Sequence, residues 1–414
     1  MAGVPQLGVT IDFSNGPAFI DAAGIIGEAI IGTAQISDSN SSVNITDEVL
    51  QIATRRGRNR LLDTMEAGTA TVILKDTDGR WNPANAAGPY YGLLLPNRKI
   101  SIWATYEGVK YTVFTGFITA FPIGFVNGVG DQSKVVLTCV DGFRLLYNAG
   151  VDVVAATGAG QYTGTRIGKM LDEAAWPAGQ RDIDAGNSTL QADPGGVRSV
   201  LAACQMIEKS EFGGFFMTKR GKARFMSRTA VGTAAAQTAT TFADDGSGIS
   251  YQDIAFAFDD TLILNDVTVT RAGGVAQNVY DQTSIDTYFN HSGSRTGLLV
   301  ETDAEALQQA QLVLSARKDA TVRIDYIALN LFDSAATTRI VAGLNAEIFD
   351  LINVTKQMPG STAITRELFV QGVQHDATPK SWTAKLLTSE PLVQAFIIGD
   401  PVQGQVGGVG VISY

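Results

Sequence analysis

Residues 65–85 read MEAGTATVILKDTDGRWNPAN. The first half is an alternating stretch in which β-branched residues recur, the period of a half-buried strand. The second half raises a different question, because Asp76 and Asp78 stand one residue apart beside Gly79, as the acids of a calcium loop do. An EF-type loop carries acids at positions one, three and five, glycine at six and glutamate at twelve. Counted from Asp76, glycine comes at position four, Arg80 takes position five and Ala87 takes position twelve. No metal is therefore expected. Asp-Gly after an alternating strand is a turn signal, and this stretch reads as the end of a β-hairpin.

The neighbouring segments carry the same pattern. Val43–Thr46, Thr69–Leu74, Ile100–Ala104 and Val135–Val140 are rich in β-branched and aromatic residues, and Tyr106–Tyr111 reads as a hairpin tip between strands 100–106 and 110–120. From about residue 160 the period becomes helical. Ile167, Met170, Leu171, Ala174 and Ala175 share a face after Thr163 or Thr165 as N-cap, with Pro177 as the stop; Val197, Val200, Leu201, Cys204 and Ile207 repeat the spacing. A hairpin turning at Arg220-Gly221 follows, and the Ala/Thr/Gly-rich stretch 229–241 reads as a connector. β patterning returns at 263–270, 321–331, 365–374 and 381–389. It is interrupted by one helix with a Thr302/Glu305 capping box and a Leu307, Ala310, Leu314 stripe.

The expected fold is mainly β with an α+β insert. It has a β-barrel domain over 1–150, an α/β insert over 151–235, a second β-barrel domain with one helix over 236–395 and a Gly-rich tail over 396–414. With 414 residues, 45% hydrophobic and 17% charged, the chain is long enough for several cores. Its 44 glycines against 12 prolines fit many tight turns, and its net charge of -10 argues against a phosphate-binding face. Its two cysteines, Cys139 and Cys204, are too few for a disulfide framework. Residues 19–28 are apolar but carry Asp21 and Glu28, so neither a signal peptide nor a membrane span is expected there, and a soluble protein made in the cytoplasm is.

Chemistry-bearing patterns are sparse. The two histidines, His291 and His375, have no ligand spacing and read as structural or surface residues. Gly158-Ala159-Gly160-Gln161-Tyr162-Thr163-Gly164 is one residue too long for a dinucleotide loop and reads as a linker. Glu208 with Glu211, and Asp244 with Asp245, are the acid pairs a carboxylate-dependent cell-wall hydrolase would need. Each pair reads more simply as structural or solvated. Neither a catalytic residue, a metal nor a cofactor is expected. A carbohydrate-binding module, the remaining alternative, would expose aromatics such as Trp81 or Tyr90-Tyr91.

Taken in order, several segments resemble one family. They are Arg56-Gly57-Arg58, then Ala67–Val72, Asp76–Pro83, Pro89–Gly92, Leu95–Ile100 and Phe114–Ile118, followed by Ile207–Phe216, Gly221–Phe225 with Arg228, Asn265–Val269, Asp281–Ile285, Val370–His375 and Trp382–Leu386. This series, covering about residues 40–390, resembles the baseplate-hub or minor tail proteins of long-tailed bacteriophages. The resemblance implies a ring-forming structural protein of the tail tip with two tube-like barrels per subunit. It implies a homotrimer joining the hexameric tube to a threefold tip around a DNA channel. The partners it implies are further copies of itself, the distal tail protein, the tape measure protein and other tail-tip proteins, in a virion assembled in the host cytoplasm without membrane insertion. The distal tail ring protein, a hexamer, is the alternative within the same particle. The residues expected at subunit interfaces are Asp76, Asp78, Gly79, Trp81, Pro83, Tyr90, Tyr91, Phe215 and Phe216, with Trp81 and Pro83 pinning a lip beneath Pro89-Tyr90-Tyr91.

Overall fold

A computed structural model of the chain describes residues 3–13, 42–60, 63–124, 133–234, 239–360 and 362–391. The apolar stretch 19–28 and the Gly-rich stretch 396–414 lie outside the described residues.

The stretch that opens the sequence reading forms the strand Glu66–Lys75, with Gly68, Ala70, Val72 and Leu74 turned into the core. It pairs antiparallel with Val49–Gly57 on one side and Lys134–Val140 on the other, so that Val72 lies between Ile52 and Leu137. Beyond Lys134–Val140 come Val109–Ala120 and Arg98–Tyr106, joined at Glu107 and Gly108 with φ of 48° and 77°. Two consecutive positive φ values are what a two-residue hairpin turn requires. Gln6–Asp12 and Ser42–Asn44 complete this edge.

In the other direction, Val49–Gly57 pairs with Ile364–Thr378, and the sheet runs on through Ser381–Ser389, Arg323–Asn330 and Asp253–Ala257. The two β-rich halves of the sequence are thus joined laterally into one sheet of 14 strands, with a hydrophobic core that runs across the join. Ile364–Thr378 makes the junction by changing partners along its length. Its first half pairs with Leu351–Lys356 and its second with Val49–Gly57, and the register shifts between Val370 and Gly372. Backbones come very close there. A Cβ on Gly57 (φ 88°) would lie 2.2 Å from the Gln371 carbonyl oxygen, and one on Gly372 would lie 2.8 Å from that of Arg58.

The insert packs two helices, Thr163–Glu173 and Val200–Lys209, on a three-stranded sheet of Arg181–Ile183, Ala223–Met226 and Gly214–Met217. Thr163 is the first helical residue rather than the cap, and its hydroxyl donates to Glu211. The helix stops before Pro177. Ala175 turns left-handed at φ 51°, and the Trp176 N–H reaches back to the Leu171 carbonyl at 2.9 Å, a C-terminal motif that the apolar spacing of Ala174 and Ala175 conceals. The stretch read as a connector contributes to a short helix, Arg228–Ala234, and to the strand Thr240–Ala243.

The strand expected at 263–270 and the helix expected after Thr302 belong to a unit with a sheet of its own. Asp266–Arg271 lies between antiparallel Gln277–Tyr280 and parallel Ser292–Leu298, and the helix Asp303–Arg317 covers this separate sheet. Its buried stripe is Ala306, Gln309, Ala310 and Val313, offset from Leu307 and Leu314 because small residues let the helix settle onto Val267 and Val269. The N-cap half of the box forms, with Thr302 Oγ1 accepting the Glu305 N–H at 3.1 Å, while the Glu305 carboxylate bonds Ser188. Thr302→Ala is expected to cost about 1 kcal/mol, measurable as a lower urea midpoint with unchanged slope.

Candidate functional site

The strand Glu66–Lys75 ends where Asp76 folds under the loop that follows. Asp76 is buried, its N–H donates to the Ser133 carbonyl at 3.0 Å, and its Oδ1 accepts the Trp81 N–H at 3.4 Å. Gly79, at φ 70°, reverses the chain, and its carbonyl accepts from Asn82 N at 3.2 Å and Asn85 Nδ2 at 3.0 Å. Trp81 then drops into the core with its ring 4.9 Å from that of Tyr90, which lies 5.2 Å from Phe13. The lip is therefore pinned, with Trp81 beneath Tyr90.

The acids of this loop have protein partners. Asp78 takes a fork of bonds from Arg80, at 3.0 Å from Nε and 2.7 Å from Nη2, and Arg80 Nη1 reaches Glu48 at 2.6 Å. The Arg80 hydrogen bond holds the Asp78 carboxyl below the usual carboxylate range. Among the described residues no group of three or more His, Cys, Asp or Glu side chains is placed to hold a metal ion. Chelator is accordingly expected to leave the melting temperature unchanged, and a calcium-dependent rise would reinstate the metal reading.

The expected interface residues divide by exposure. Asp78, Pro83 and Tyr91 are exposed, Tyr91 by 56%, while Gly79 and Tyr90 are half-buried. Asp76, Trp81, Phe215 and Phe216 are buried within the protomer. Phe215 stacks on Phe143 with ring centroids 5.5 Å apart, and Phe216 meets Phe349 at 5.9 Å. These four have no surface to offer a neighbour, because the insert hairpin and the lip fold their aromatics inward. The same burial removes Trp81 as an exposed sugar platform.

Glu208 and Glu211 line one cavity, but Glu211, Asp244 and Asp245 are each taken up by internal bonds. Glu211 is saturated by the Thr163 hydroxyl and the backbone N–H groups of Asn187, Ser188 and Arg228, and so it ties three segments of the insert together. Asp244 is bound to Lys356 and Gln357, and Asp245 to Ser247 and Gln357. His375 is buried, accepts the Trp382 indole N–H at 3.2 Å, and is pushed down to about 3 by burial. The Gly158–Gly164 loop holds a guanidinium instead of a phosphate, since Arg166 Nη2 donates to the Gly158 carbonyl at 2.7 Å.

Glu208 is different. It lines a cavity of about 330 Å³ between the insert, the end of the Val49–Gly57 strand and the small sheet, together with Arg58, Lys209, Phe212 and Arg295. Burial pushes its carboxyl up to about 7, against the pull of Arg58, the Phe215 N–H and Arg295. Arg58 is itself buried, with Nε donating to Gln371 at 2.9 Å and Nη1 to the Asp63 carbonyl at 3.0 Å. Arg295 donates from Nη2 to the Lys209 carbonyl at 2.8 Å and lies 5.0 Å over the Phe212 ring. Arg58 enters the sequence reading only as part of a motif and Arg295 not at all. The three charged groups come from segments with no spacing to connect them.

No protein-family model and no curated protein matches the sequence. The fold does have solved counterparts that run almost end to end. A tail protein from Neisseria meningitidis is 12% identical, with 94% of this chain and 96% of that one covered at a TM-score of 0.54. The 43 kDa tail protein of prophage MuSo2 from Shewanella oneidensis is 12% identical, with 94% and 97% covered at a TM-score of 0.53. At such identity the likeness is one of fold, and the chain has a mainly β fold shared with phage tail proteins.

Proposed function

We propose that this chain is a structural subunit of a bacteriophage-type tail, and that it forms the baseplate-hub ring at the tail tip. The observation that carries the reading is the match of the whole two-halved architecture, insert included, to two tail proteins over nearly their full lengths. The physical design supports it. A chain that joins its β-rich halves into one sheet presents a continuous wall, and wall segments close into rings by repeating one contact. In this reading three copies form the ring, joining the hexameric tube and distal ring to a threefold tip. The net charge of -10 lets DNA pass without sticking. Its neighbours are the distal tail and tape measure proteins. Asp78, Pro83 and Tyr91 are the lip residues placed to touch an adjoining subunit. No catalytic step is assigned, since Glu211, Asp244 and Asp245 are already committed to internal bonds.

The test is the symmetry of the assembled ring by electron microscopy. Three copies are expected; six would point to the distal tail ring, and a protein that stays monomeric beside its tail partners would overturn the proposal. Tyr91→Ala is expected to weaken ring formation at least tenfold while shifting stability by less than about 0.5 kcal/mol, as exposed substitutions do. Sedimentation and thermal melting separate the two effects.

A further inference from the structure

The cavity at Glu208 is left over by a purely structural role. Its two guanidiniums come from different elements, Arg58 from just past the Val49–Gly57 strand and Arg295 from Ser292–Leu298. Both feel the Glu208 carboxyl electrostatically, yet their hydrogen bonds go to Gln371, Asp63 and Lys209 instead. Among the described residues, Nη2 of Arg58 and Nε of Arg295 find no acceptor, and both atoms are occluded from solvent. Unmatched charged donors in a water-poor setting are costly, and a charge-assisted bond to an anion is the strongest remedy. Other ionisable groups on the wall are Asp63, Lys209 and Glu211, of which Glu211 is already saturated by donors. Phe212, Leu298 and Phe369 make up the apolar part of the lining.

We infer that this cavity is a receptor for an oxyanion, a carboxylate or phosphate held between Arg58 and Arg295 with the Glu208 carboxyl as its third wall. Glu208 must be protonated to sit beside such a group, and it then donates a hydrogen bond to it. Binding is therefore coupled to uptake of one proton and weakens as pH rises past 7. Two sources share this chemistry: a free anion, and an acidic side chain on a loop of an adjoining protein.

Titration calorimetry on the full chain, with inorganic phosphate and separately with acetyl-Gly-Glu-Gly-amide, tests this at pH 6 and pH 8. At least one probe is expected to bind about tenfold more weakly at pH 8, one proton being linked to binding. Glu208→Gln should flatten that pH dependence, and Arg295→Gln should reduce affinity at least tenfold. Peptide binding identifies a protein-borne carboxylate and phosphate binding alone a free anion; either supports the receptor. No heat from either probe at about 10 mM, weaker than any specific site of this kind, overturns it, as does unchanged affinity in folded Arg295→Gln. If Arg295→Gln melts early, protection of Arg295 from phenylglyoxal by the probe in the unsubstituted protein decides the same question. Absence of protection overturns it.

Discussion

Trp81→Ala is expected to lower the unfolding free energy by about 3–5 kcal/mol, the range for removing a large aromatic from a packed core. Trp81 has no exposed surface, and its ring supports Tyr90, which in turn supports Phe13. Truncation therefore empties the space under the lip and loosens the strand Gln6–Asp12 that leads into Phe13. Among the described residues the indole N–H has no partner, so the loss is one of packing rather than of a hydrogen bond. Trp81→Phe should accordingly recover more than half of the lost stability. Urea denaturation of the two variants measures this. A loss below about 1 kcal/mol for Trp81→Ala would mean that the lip is not anchored from below.

The second large effect is a dependence on pH that runs opposite to ordinary acid denaturation. Burial raises the carboxyl of Glu208 from its usual 4.5, and that of Asp141 from 3.8, to about 7 in each case. A carboxyl whose folded value is raised stabilises the protein fully below the unfolded value, and that stability is lost as pH rises through the folded one. The window is therefore roughly pH 4 to 7, and each group is worth on the order of 3 kcal/mol across it. Glu208→Gln removes one titration. Between pH 5 and pH 8 the unfolding free energy of the unsubstituted protein should fall relative to that of Glu208→Gln by about 2–3 kcal/mol. A difference between the two proteins that stays constant over that interval would show that Glu208 titrates normally.

Much of the β architecture is legible because it is local. Glu66–Lys75 alternates, the Glu107-Gly108 turn lies between two alternating runs, and Thr302 with Glu305 announces a helix start. What escapes is set by tertiary contact. An aromatic after a turn reads the same whether it faces solvent or folds under its own loop, so Trp81, Phe215 and Phe216 look available in the sequence and are buried in the structure. The stripe of Asp303–Arg317 is displaced because small residues, not the largest ones, meet the sheet. The cavity is the least legible feature, since Arg58, Glu208 and Arg295 belong to three separate elements.

The lateral pairing of Val49–Gly57 with Ile364–Thr378 has a consequence for synthesis. The bond from Arg58 to Gln371 closes a span of 313 residues. At ribosomal speeds of about 5–20 residues per second, the early strand waits roughly 15 to 60 s for its partner. Throughout that wait its edge is open to other chains, which is the state most prone to mispairing. The amino-terminal half thus emerges with an unfinished side that only the last part of the fold can seal. A nascent chain arrested before residue 364 should be held by chaperones, and one arrested well beyond 391 should be free of them.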